Sequence, residues 1–258
     1  MTSASTSTAR RPFQGVWQIV RYNWPFYVAG TLACAFGAVV LQVFAWPKAL
    51  FVLGWLGVAV GGWWLLASLL VSYWVYDVSP LYTWRWLPAL LPQMPTRWAN
   101  IHSGLDESSL ALREMFGGDG ATIDIYNAQE MTEPSIARAR RITPAPVEAI
   151  SADYRQLPFS DNALDAIFLI FAAHEIREAA SRERFWRELH RVLDDGGTIV
   201  LVEHLRDAAN FLAFGPGFGH FLPRGEWLRL FRETQFSVHS ETRLTPWVRV
   251  WVLQSSTR

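Results

Sequence analysis

The sequence predicts an α/β domain with a mostly parallel sheet and a C-terminal antiparallel hairpin, preceded by a transmembrane α-hairpin. Two observations support this prediction. Lys48 is the one charged residue between Tyr22 and Tyr76, so this part of the chain is almost entirely apolar. From Trp98 onward, short apolar segments alternate with amphipathic segments, which is typical of strands and helices that alternate along a chain. The two parts are therefore expected to lie in different surroundings.

Two apolar runs, residues 25–46 and 49–76, flank Lys48. Each is long enough to cross a hydrocarbon core of about 30 Å as a helix that rises about 1.5 Å per residue. Aromatic residues lie near the predicted ends, as they do at the headgroup level of a bilayer. We predict two membrane helices joined by a tight turn at residues 46–48. The alternative is a buried helical hairpin in the core of a large soluble protein.

Basic residues predict the orientation of this hairpin. Arg10, Arg11 and Arg21 precede the first run, and Arg85 and Arg97 follow the second, whereas the turn carries a single lysine. The positive-inside rule then predicts both termini on the cytoplasmic side of the inner or plasma membrane. We expect four segments: a disordered cytoplasmic tail (1–22), two transmembrane helices (23–76), a Pro/Trp-rich juxtamembrane linker (77–96) and a cytoplasmic domain (97–258). The linker is predicted either to lie along the membrane surface or to pack on the domain.

Composition excludes some classes of protein. The chain has 23 basic and 23 acidic residues, so its charge does not favour nucleic acid as a partner. Cys34 is the single cysteine, which rules out an internal disulfide. No pattern of histidine and cysteine has the spacing of metal ligands, and we therefore expect no structural zinc.

The domain is predicted element by element from its hydrophobic periodicity. Glycines at 196 and 197 are expected to end the third helix, and an apolar, glycine-rich segment spans residues 210–222. Such sheets bind their ligands at the carboxyl ends of the strands. The predicted strands are 98–102, 121–126, 147–151, 163–171, 197–203, 236–243 and 248–253, and the predicted helices are 107–116, 128–141, 181–193 and 223–234.

Three segments resemble class I S-adenosylmethionine-dependent methyltransferases of the type 11 group. Residues 153–168 resemble the family's fourth-strand region, with an acidic residue, Leu-Pro-Phe, a turn and an apolar strand. Residues 188–197 are similar to the helix end that precedes the fifth strand, and residues 123–126 resemble the second strand. The resemblance implies a Rossmann-like methyltransferase domain with S-adenosylmethionine as the cofactor. It implies cofactor binding by His102, Gly104, Asp106, Asp124, Tyr126, Asp153, Tyr154 and Ala172.

Two carboxylates among these residues have a physical reason for that role. Asp124 is predicted at the end of the second strand, where a carboxylate can accept hydrogen bonds from ribose hydroxyls. Asp153 follows the third strand, where a carboxylate can accept from the adenine amino group. The alternatives are a turn-capping role for Asp124 and a helix N-cap for Asp153.

The sequence departs from the family's pattern after the first strand. Of the three glycines expected there, Gly104 is present, whereas His102 and Asp106 replace the others and Asn100 replaces an acidic residue. Glycine allows positive φ and has no Cβ to meet a ligand. Either the loop takes another shape and still binds the cofactor, or the site no longer binds it. Residues 106–109 are expected to cap the next helix or to bind a cationic group.

Candidate catalytic residues follow the fourth and fifth strands. His174 and Glu175 come after one strand, and His204 comes directly after Glu203 at the end of the other. Histidine titrates near neutral pH, and a neighbouring carboxylate can orient or charge it. For each histidine the alternative is a structural role in a loop. His220 in the glycine-rich segment is a further candidate.

Residues 210–221 are predicted to form a substrate lid, because glycines allow movement and phenylalanines can contact an acyl or prenyl chain. The alternative is a loop packed on the sheet. With the hairpin, this segment predicts a membrane-anchored methyltransferase acting on a lipid, quinone or isoprenoid-like acceptor. The alternative function is a non-catalytic module that binds lipid or a partner. A nicotinamide-dependent oxidoreductase is disfavoured, since Gly-x-Gly-x-x-Gly is absent after the first strand.

Overall fold

A computed structural model describes residues 10–255. The first nine residues of the predicted tail lie outside this range. The described chain consists of a helical hairpin, a short linker and an α/β domain. Its helices are α1 (Gln14–Val43), α2 (Lys48–Tyr73), α3 (Ser109–Phe116), α4 (Pro134–Ile142), α5 (Ala179–Val192), α6 (Ala208–Phe214) and α7 (Arg224–Glu233). Its strands are β1 (Arg97–His102), β2 (Asp119–Asp124), β3 (Ile150–Ser151), β4 (Leu164–Ile170), β5 (Leu193–His204), β6 (Phe236–Thr245) and β7 (Val248–Ser255).

Helices α1 and α2 form the hairpin predicted from the apolar runs. By length and composition both are able to cross a membrane, since each contains an 18-residue stretch with a mean hydropathy of 1.9. Small residues allow the two helices to approach closely. A Cβ added at Gly30 would lie 2.9 Å from Leu65, and one added at Gly61 would lie 2.9 Å from Sγ of Cys34. Cys34 therefore contributes to packing between the helices.

Helix α1 begins earlier than the sequence predicted. Residues 14–22, expected in a disordered tail, are helical, and a kink at Asn23 (φ −118°, ψ 16°) separates them from the rest of α1. The Asp77 carboxylate accepts hydrogen bonds from the backbone N–H groups of Gly15 (2.7 Å) and Val16 (2.8 Å), which caps the helix from outside the segment. Gly15 is needed at this contact, because a Cβ there would lie 2.3 Å from Cβ of Tyr76. This cap comes from a residue 62 positions away and is invisible to local sequence analysis.

The seven strands form one sheet in the order β3-β2-β1-β4-β5-β7-β6. Strands β1 to β5 are mutually parallel, whereas β7 pairs antiparallel with both β5 and β6. This confirms the predicted α/β architecture with a C-terminal antiparallel hairpin. Two strands differ in extent: β3 has two residues rather than the predicted five, and β5 begins at residue 193 rather than at residue 197.

Two helices differ from the prediction. Helix α4 begins at Pro134 rather than at residue 128, because proline is favoured in the first turn and cannot continue a helix from within it. The segment predicted as a flexible lid is ordered as α6 followed by a 3₁₀ helix, Gly215–His220.

The linker packs on one face of the sheet, which is the second of the two predicted alternatives. Leu81 and Leu87 are fully buried and share a hydrophobic cluster with Trp98 and Phe168 of the sheet. Their burial removes apolar side chains from water. The linker therefore packs between the hairpin and the domain, and the hairpin lies over the carboxyl ends of β4 and β5.

Candidate functional site

A cavity of about 750 Å³ lies between the hairpin and the carboxyl ends of β4 and β5. Helix α1 contributes Tyr22, Phe26 and Tyr27 to its wall, and the chain after α2 contributes Tyr76. This volume is within the range of small-molecule pockets. On the domain side the wall includes Ser103, Leu105, Phe171, His174, Glu175, His204, Phe214, His220 and Phe221.

His174 lies between two buried carboxylates. Its Nδ1 is 2.6 Å from Oε2 of Glu203, and its Nε2 is 3.1 Å from Oε1 of Glu175. Burial alone would lower the pKa of His174, but the carboxylates of Glu203 and Glu175 raise it to about 10. His174 is therefore protonated at neutral pH in this arrangement and donates to both carboxylates, which disfavours it as a general base.

His220 extends the cluster from the opposite side. Its Nε2 is 3.2 Å from Oε1 of Glu175, and its Nδ1 is 3.2 Å from Oε1 of Glu133. Burial would raise the pKa of Glu175, but the neighbouring His174 and His220 lower it well below its ordinary value. The other oxygen of Glu175, Oε2, is buried and has no hydrogen-bond partner among residues 10–255. A buried anionic oxygen without a partner is costly unless a ligand satisfies it.

His204 differs from His174 in its protonation state. Its Nδ1 donates to the carbonyl of Trp247 (2.9 Å), so its Nε2 accepts the hydroxyl hydrogen of Tyr76 (2.8 Å). Its ring stacks between the rings of Phe171 and Phe221, with centroid-to-centroid distances of 4.9 and 5.0 Å. Burial lowers the pKa of His204 to about 4. His204 is therefore neutral at physiological pH, with Nε2 available as an acceptor wherever the tyrosine hydroxyl is displaced.

The loop after β1 is held in place by hydrogen bonds from its own polar side chains. Oδ1 of Asp106 accepts from the backbone N–H groups of Ser108 (3.1 Å) and Ser109 (3.0 Å) and from Nδ2 of Asn100 (3.1 Å). Asp106 therefore caps α3, as one alternative predicted. Nδ1 of His102 accepts from the backbone N–H of Gly104 (3.3 Å), and burial lowers the pKa of His102.

Asp124 lies at the end of β2, as predicted. Its Oδ1 accepts from the backbone N–H of Tyr126 (3.0 Å), which is the turn-capping contact of the alternative prediction. Its Oδ2 accepts from Nη1 of Arg140 at 2.6 Å. The Arg140 guanidinium also lies over the Tyr126 ring, 4.4 Å from the centroid. Both carboxylate oxygens are thus occupied by groups of this chain.

Arg140 also closes the space beside Gly104. This glycine has φ +113°, and a Cβ added there would lie 3.0 Å from Cδ of Arg140 and 3.1 Å from Cγ2 of Ile136. The wall of the 750 Å³ cavity, as built by residues 10–255, does not include Asp124. In this arrangement Arg140 occupies the Asp124 oxygen that would accept from a ribose hydroxyl, so the Arg140 side chain must move before the nucleoside of S-adenosylmethionine can bind there. Arg140 of α4 and the buried imidazole of His102, whose Nδ1 lies 3.8 Å from Oδ1 of Asp124, together close this region.

The remaining predicted cofactor residues lie apart from the cavity wall. The Asp153 carboxylate accepts from the backbone N–H of Arg155 (2.8 Å), so it caps a turn. Tyr154 is buried, and its hydroxyl donates to Oε2 of Glu130 (2.5 Å). Ala172 is buried at the start of the 3₁₀ helix that carries His174.

The structure therefore brings together the three residues predicted as catalytic: His174, Glu175 and His204 all line the cavity. Sequence analysis did not identify three residues that shape the site, Tyr76, Glu133 and Arg140. Tyr76 carried a signal only as an aromatic residue at the end of the second apolar run. Nothing in the sequence marked Glu133 and Arg140 as site residues, because ordinary surface helices have similar charged residues.

Comparisons with known proteins agree with this fold. The family described as Methyltransferase domain matches residues 106–201. No curated protein matches the chain significantly. One similar chain comes from a complex between the Haloferax volcanii Trm112 methyltransferase activator and a methyltransferase. It is 15% identical to this chain, the match covers 66% of this chain and 86% of that chain, and the TM-score is 0.50. A SAM-dependent methyltransferase from Methanosarcina mazei is 19% identical, with 67% and 98% covered and a TM-score of 0.49.

The strand order and the match to residues 106–201 support the same assignment. They also agree with the predicted cofactor. Residues 106–201 thus match the methyltransferase-domain family, and the domain has the Rossmann-like fold found in S-adenosylmethionine-dependent methyltransferases.

Proposed function

We propose that this protein is a membrane-anchored S-adenosylmethionine-dependent methyltransferase that acts on a hydrophobic acceptor, such as a lipid, a quinone or an isoprenoid. One observation carries the proposal. The hairpin forms one wall of the 750 Å³ cavity, and the strand ends with His174, Glu175 and His204 form the opposite wall. An acceptor that entered this cavity would contact the candidate anchor and the candidate catalytic residues together.

The outer surface of the hairpin supports a membrane location. Phe36 of α1 is 72% exposed and Leu53 of α2 is 61% exposed, and many other large apolar side chains of both helices are also exposed. Exposed apolar surface of this extent is unfavourable in water and favourable in lipid. The basic residues on both sides of the hairpin favour the orientation in which the domain is cytoplasmic.

The segment after β5 supports a hydrophobic acceptor. Nε1 of Trp63 in α2 donates to the carbonyl of Leu212 in α6 (3.0 Å), and Trp64 contacts Phe211 with ring centroids 5.4 Å apart. The segment is thus docked against the hairpin, and its Phe214 and Phe221 turn toward the cavity. Aromatic side chains in such a wall suit an apolar chain.

The residues of the chain have distinct roles in this proposal. S-adenosylmethionine supplies a methyl group on a sulfonium. The aromatic wall orients the acceptor and excludes water, and the neutral His204 accepts a proton from an acceptor hydroxyl that displaces Tyr76. Arg140 must leave Asp124 before a ribose can bind there.

Calorimetry tests the proposed cofactor. The full chain in detergent is titrated with S-adenosylmethionine and with S-adenosylhomocysteine, and binding in the micromolar range is expected. Asp124→Ala and Asp153→Ala should lose it, because each removes an acceptor for the nucleoside. Asp119→Ala, at the exposed start of β2, is the matched control and should bind as the parent does. An unaltered chain that binds neither nucleoside contradicts the proposal.

The ion pair of Arg140 with Asp124 favours a second candidate function, a non-catalytic module that binds lipid or a partner. In that case the domain would keep its sheet and cavity but not its cofactor. Mass spectrometry of gently purified protein distinguishes the two. The alternative predicts co-purified lipid without nucleoside and the same lipid content in Asp124→Ala, whereas the methyltransferase predicts a nucleoside that Asp124→Ala loses.

A further inference from the structure

The buried cluster of His174, Glu175 and His220 has the composition of a metal site. One ligand atom from each residue lies within 4.8 Å of the others. Nε2 of His174 and Nε2 of His220 are 3.1 and 3.2 Å from the same oxygen, Oε1 of Glu175. Ligands that bind one ion at about 2.1 Å are roughly 3.0–3.4 Å apart in octahedral or tetrahedral geometry. The two nitrogen–oxygen separations lie in this range, and the two Nε2 atoms are within 4.8 Å of each other.

A second observation points to a ligand at the same place. The side chain of Glu175 is 6% exposed, and its Oε2 is buried without a partner among the described residues. The first oxygen of the carboxylate is shared by two imidazoles, so the second has unused acceptor capacity beside them. A cation that replaced the Nε2 protons of the two imidazoles and bound the carboxylate would satisfy it.

A third observation concerns the far side of each imidazole. Nδ1 of His174 contacts Glu203 at 2.6 Å, and Nδ1 of His220 contacts Glu133 at 3.2 Å. Metal-bound histidines usually donate their other ring N–H to a carboxylate or carbonyl, which fixes the tautomer and aims the free nitrogen at the metal. His174 has such a carboxylate in Glu203, and Glu133 lies within reach of Nδ1 of His220.

Arg177 completes the surroundings. Its guanidinium donates to Glu133 (2.7 Å) and to the carbonyl of His220 (2.9 Å), and it also contacts Nδ1 of His220. A guanidinium only donates, so Nδ1 of His220 accepts in this arrangement, and metal binding at Nε2 requires Arg177 to move off Nδ1 so that Nδ1 can carry the hydrogen and donate to Glu133. Arg177 keeps its two oxygen partners in that tautomer.

We propose that Nε2 of His174, Nε2 of His220 and the carboxylate of Glu175 bind a divalent transition-metal ion, with Glu203 and Glu133 orienting the histidines. Two histidines and one carboxylate are a ligand set of zinc and non-haem iron sites. All three residues line the cavity, so the remaining coordination positions face it. If the proposed methyltransferase function holds, an acceptor oxygen would bind there, and the ion would lower the pKa of its hydroxyl.

Metal binding is tested without cofactor or acceptor, so its failure is separate from failure of the proposed function. The full chain in detergent is freed of metal with EDTA and titrated with Zn²⁺ by calorimetry, and bound zinc is counted by mass spectrometry after desalting. One equivalent per chain is expected. His220→Ala and Glu175→Gln should weaken binding more than about 100-fold, since loss of an outer carboxylate alone costs about 10- to 100-fold.

Two further variants sharpen the test. Glu133→Gln keeps all three ligands and should still bind one equivalent, with affinity about 10-fold or more below that of the unaltered chain. His239→Ala removes an exposed histidine of β6 and should bind zinc unchanged. Visible spectra of the Co²⁺-loaded chain should change in Glu175→Gln and not in His239→Ala. Equal zinc binding by the unaltered chain and His220→Ala, or no binding by the unaltered chain, overturns the proposal.

Discussion

Two halves of one sheet edge differ in this protein. At the ends of β1 and β2, Asp124 is covered by Arg140 of α4, and Gly104 has no free space beside it. At the ends of β4 and β5, His174 and His204 face a cavity of about 750 Å³. The strands bring polar residues to both halves in the same way. The cavity also extends to Ser103 after β1 and to Ile136 of α4, so the difference depends on the Arg140 side chain, which covers Asp124 and separates it from the cavity.

The hairpin connects the two halves. The backbone carbonyl of Tyr22 in α1 accepts from Nε of Arg138 (2.5 Å), and the Tyr22 hydroxyl lies 3.2 Å from Oγ1 of Thr143. The same helix that forms the wall of the open half therefore contacts the helix that closes the other half. Movement of α4 away from Asp124 would change its contacts with the hairpin.

The largest effect is expected in the open half, from His204→Gln. Loss of a general base lowers a rate by about 10²-fold or more. The measurement is transfer of a labelled methyl group from S-adenosylmethionine to organic-extractable material in membranes that contain the protein. His239→Gln is the matched control, and cofactor affinity should not change. Equal transfer by His204→Gln and the control would remove His204 from the chemistry.

The pH dependence of stability tests the neutral state of His204. Burial lowers its pKa from 6.5 to about 4. Between these values the unfolded chain binds more protons than the folded chain, so the free energy of unfolding falls as pH falls through this window. From pH 6.5 to pH 5 the loss is about 2 kcal/mol.

His204→Gln has no side chain that titrates at this position, so the variant does not lose this part of its stability as pH falls. The stability difference between the unaltered chain and the variant should therefore shrink by about 2 kcal/mol between pH 7 and pH 5. Thermal unfolding in detergent, followed by tryptophan fluorescence, measures it. An equal difference at both pH values would show that this imidazole is not held neutral by burial.

A smaller effect is expected in the closed half, from Arg140→Ala. Removal of Arg140 frees Asp124 and opens the space beside Gly104. A partly exposed ion pair contributes up to about 1 kcal/mol, so affinity for S-adenosylhomocysteine should rise by about fivefold. Arg141→Ala, an exposed neighbour on the same helix, should leave affinity unchanged. Weaker binding in Arg140→Ala would mean that Arg140 contacts the nucleoside rather than excluding it.

Much of the framework was predictable from local sequence. Apolar runs around Lys48 identified the hairpin, and alternating periodicity identified the strands of the domain within a few residues. The candidate catalytic residues were found because strand ends meet at one edge of a parallel sheet. These features depend on neighbouring residues in the chain, so a linear pattern is enough to reveal them.

Other features depend on residues that are far apart in sequence. The Asp77 cap on α1, the ion pair of Arg140 with Asp124, and the approach of His220 to Glu175 join residues 62, 16 and 45 positions apart. No periodicity predicts which surface arginine meets which carboxylate, because that choice depends on how helices pack on the sheet.

The sequence by itself determined the apolar hairpin, the α/β domain and the placement of polar side chains at strand ends, because helix and strand periods and apolar length are local properties. Only the tertiary structure decided that the linker covers the sheet, that Arg140 of α4 and His102 close the nucleoside end, and that the hairpin walls a cavity containing His174, Glu175 and His220. Packing decides these features, since side chains from distant segments compete for the same space and the same hydrogen-bond partners.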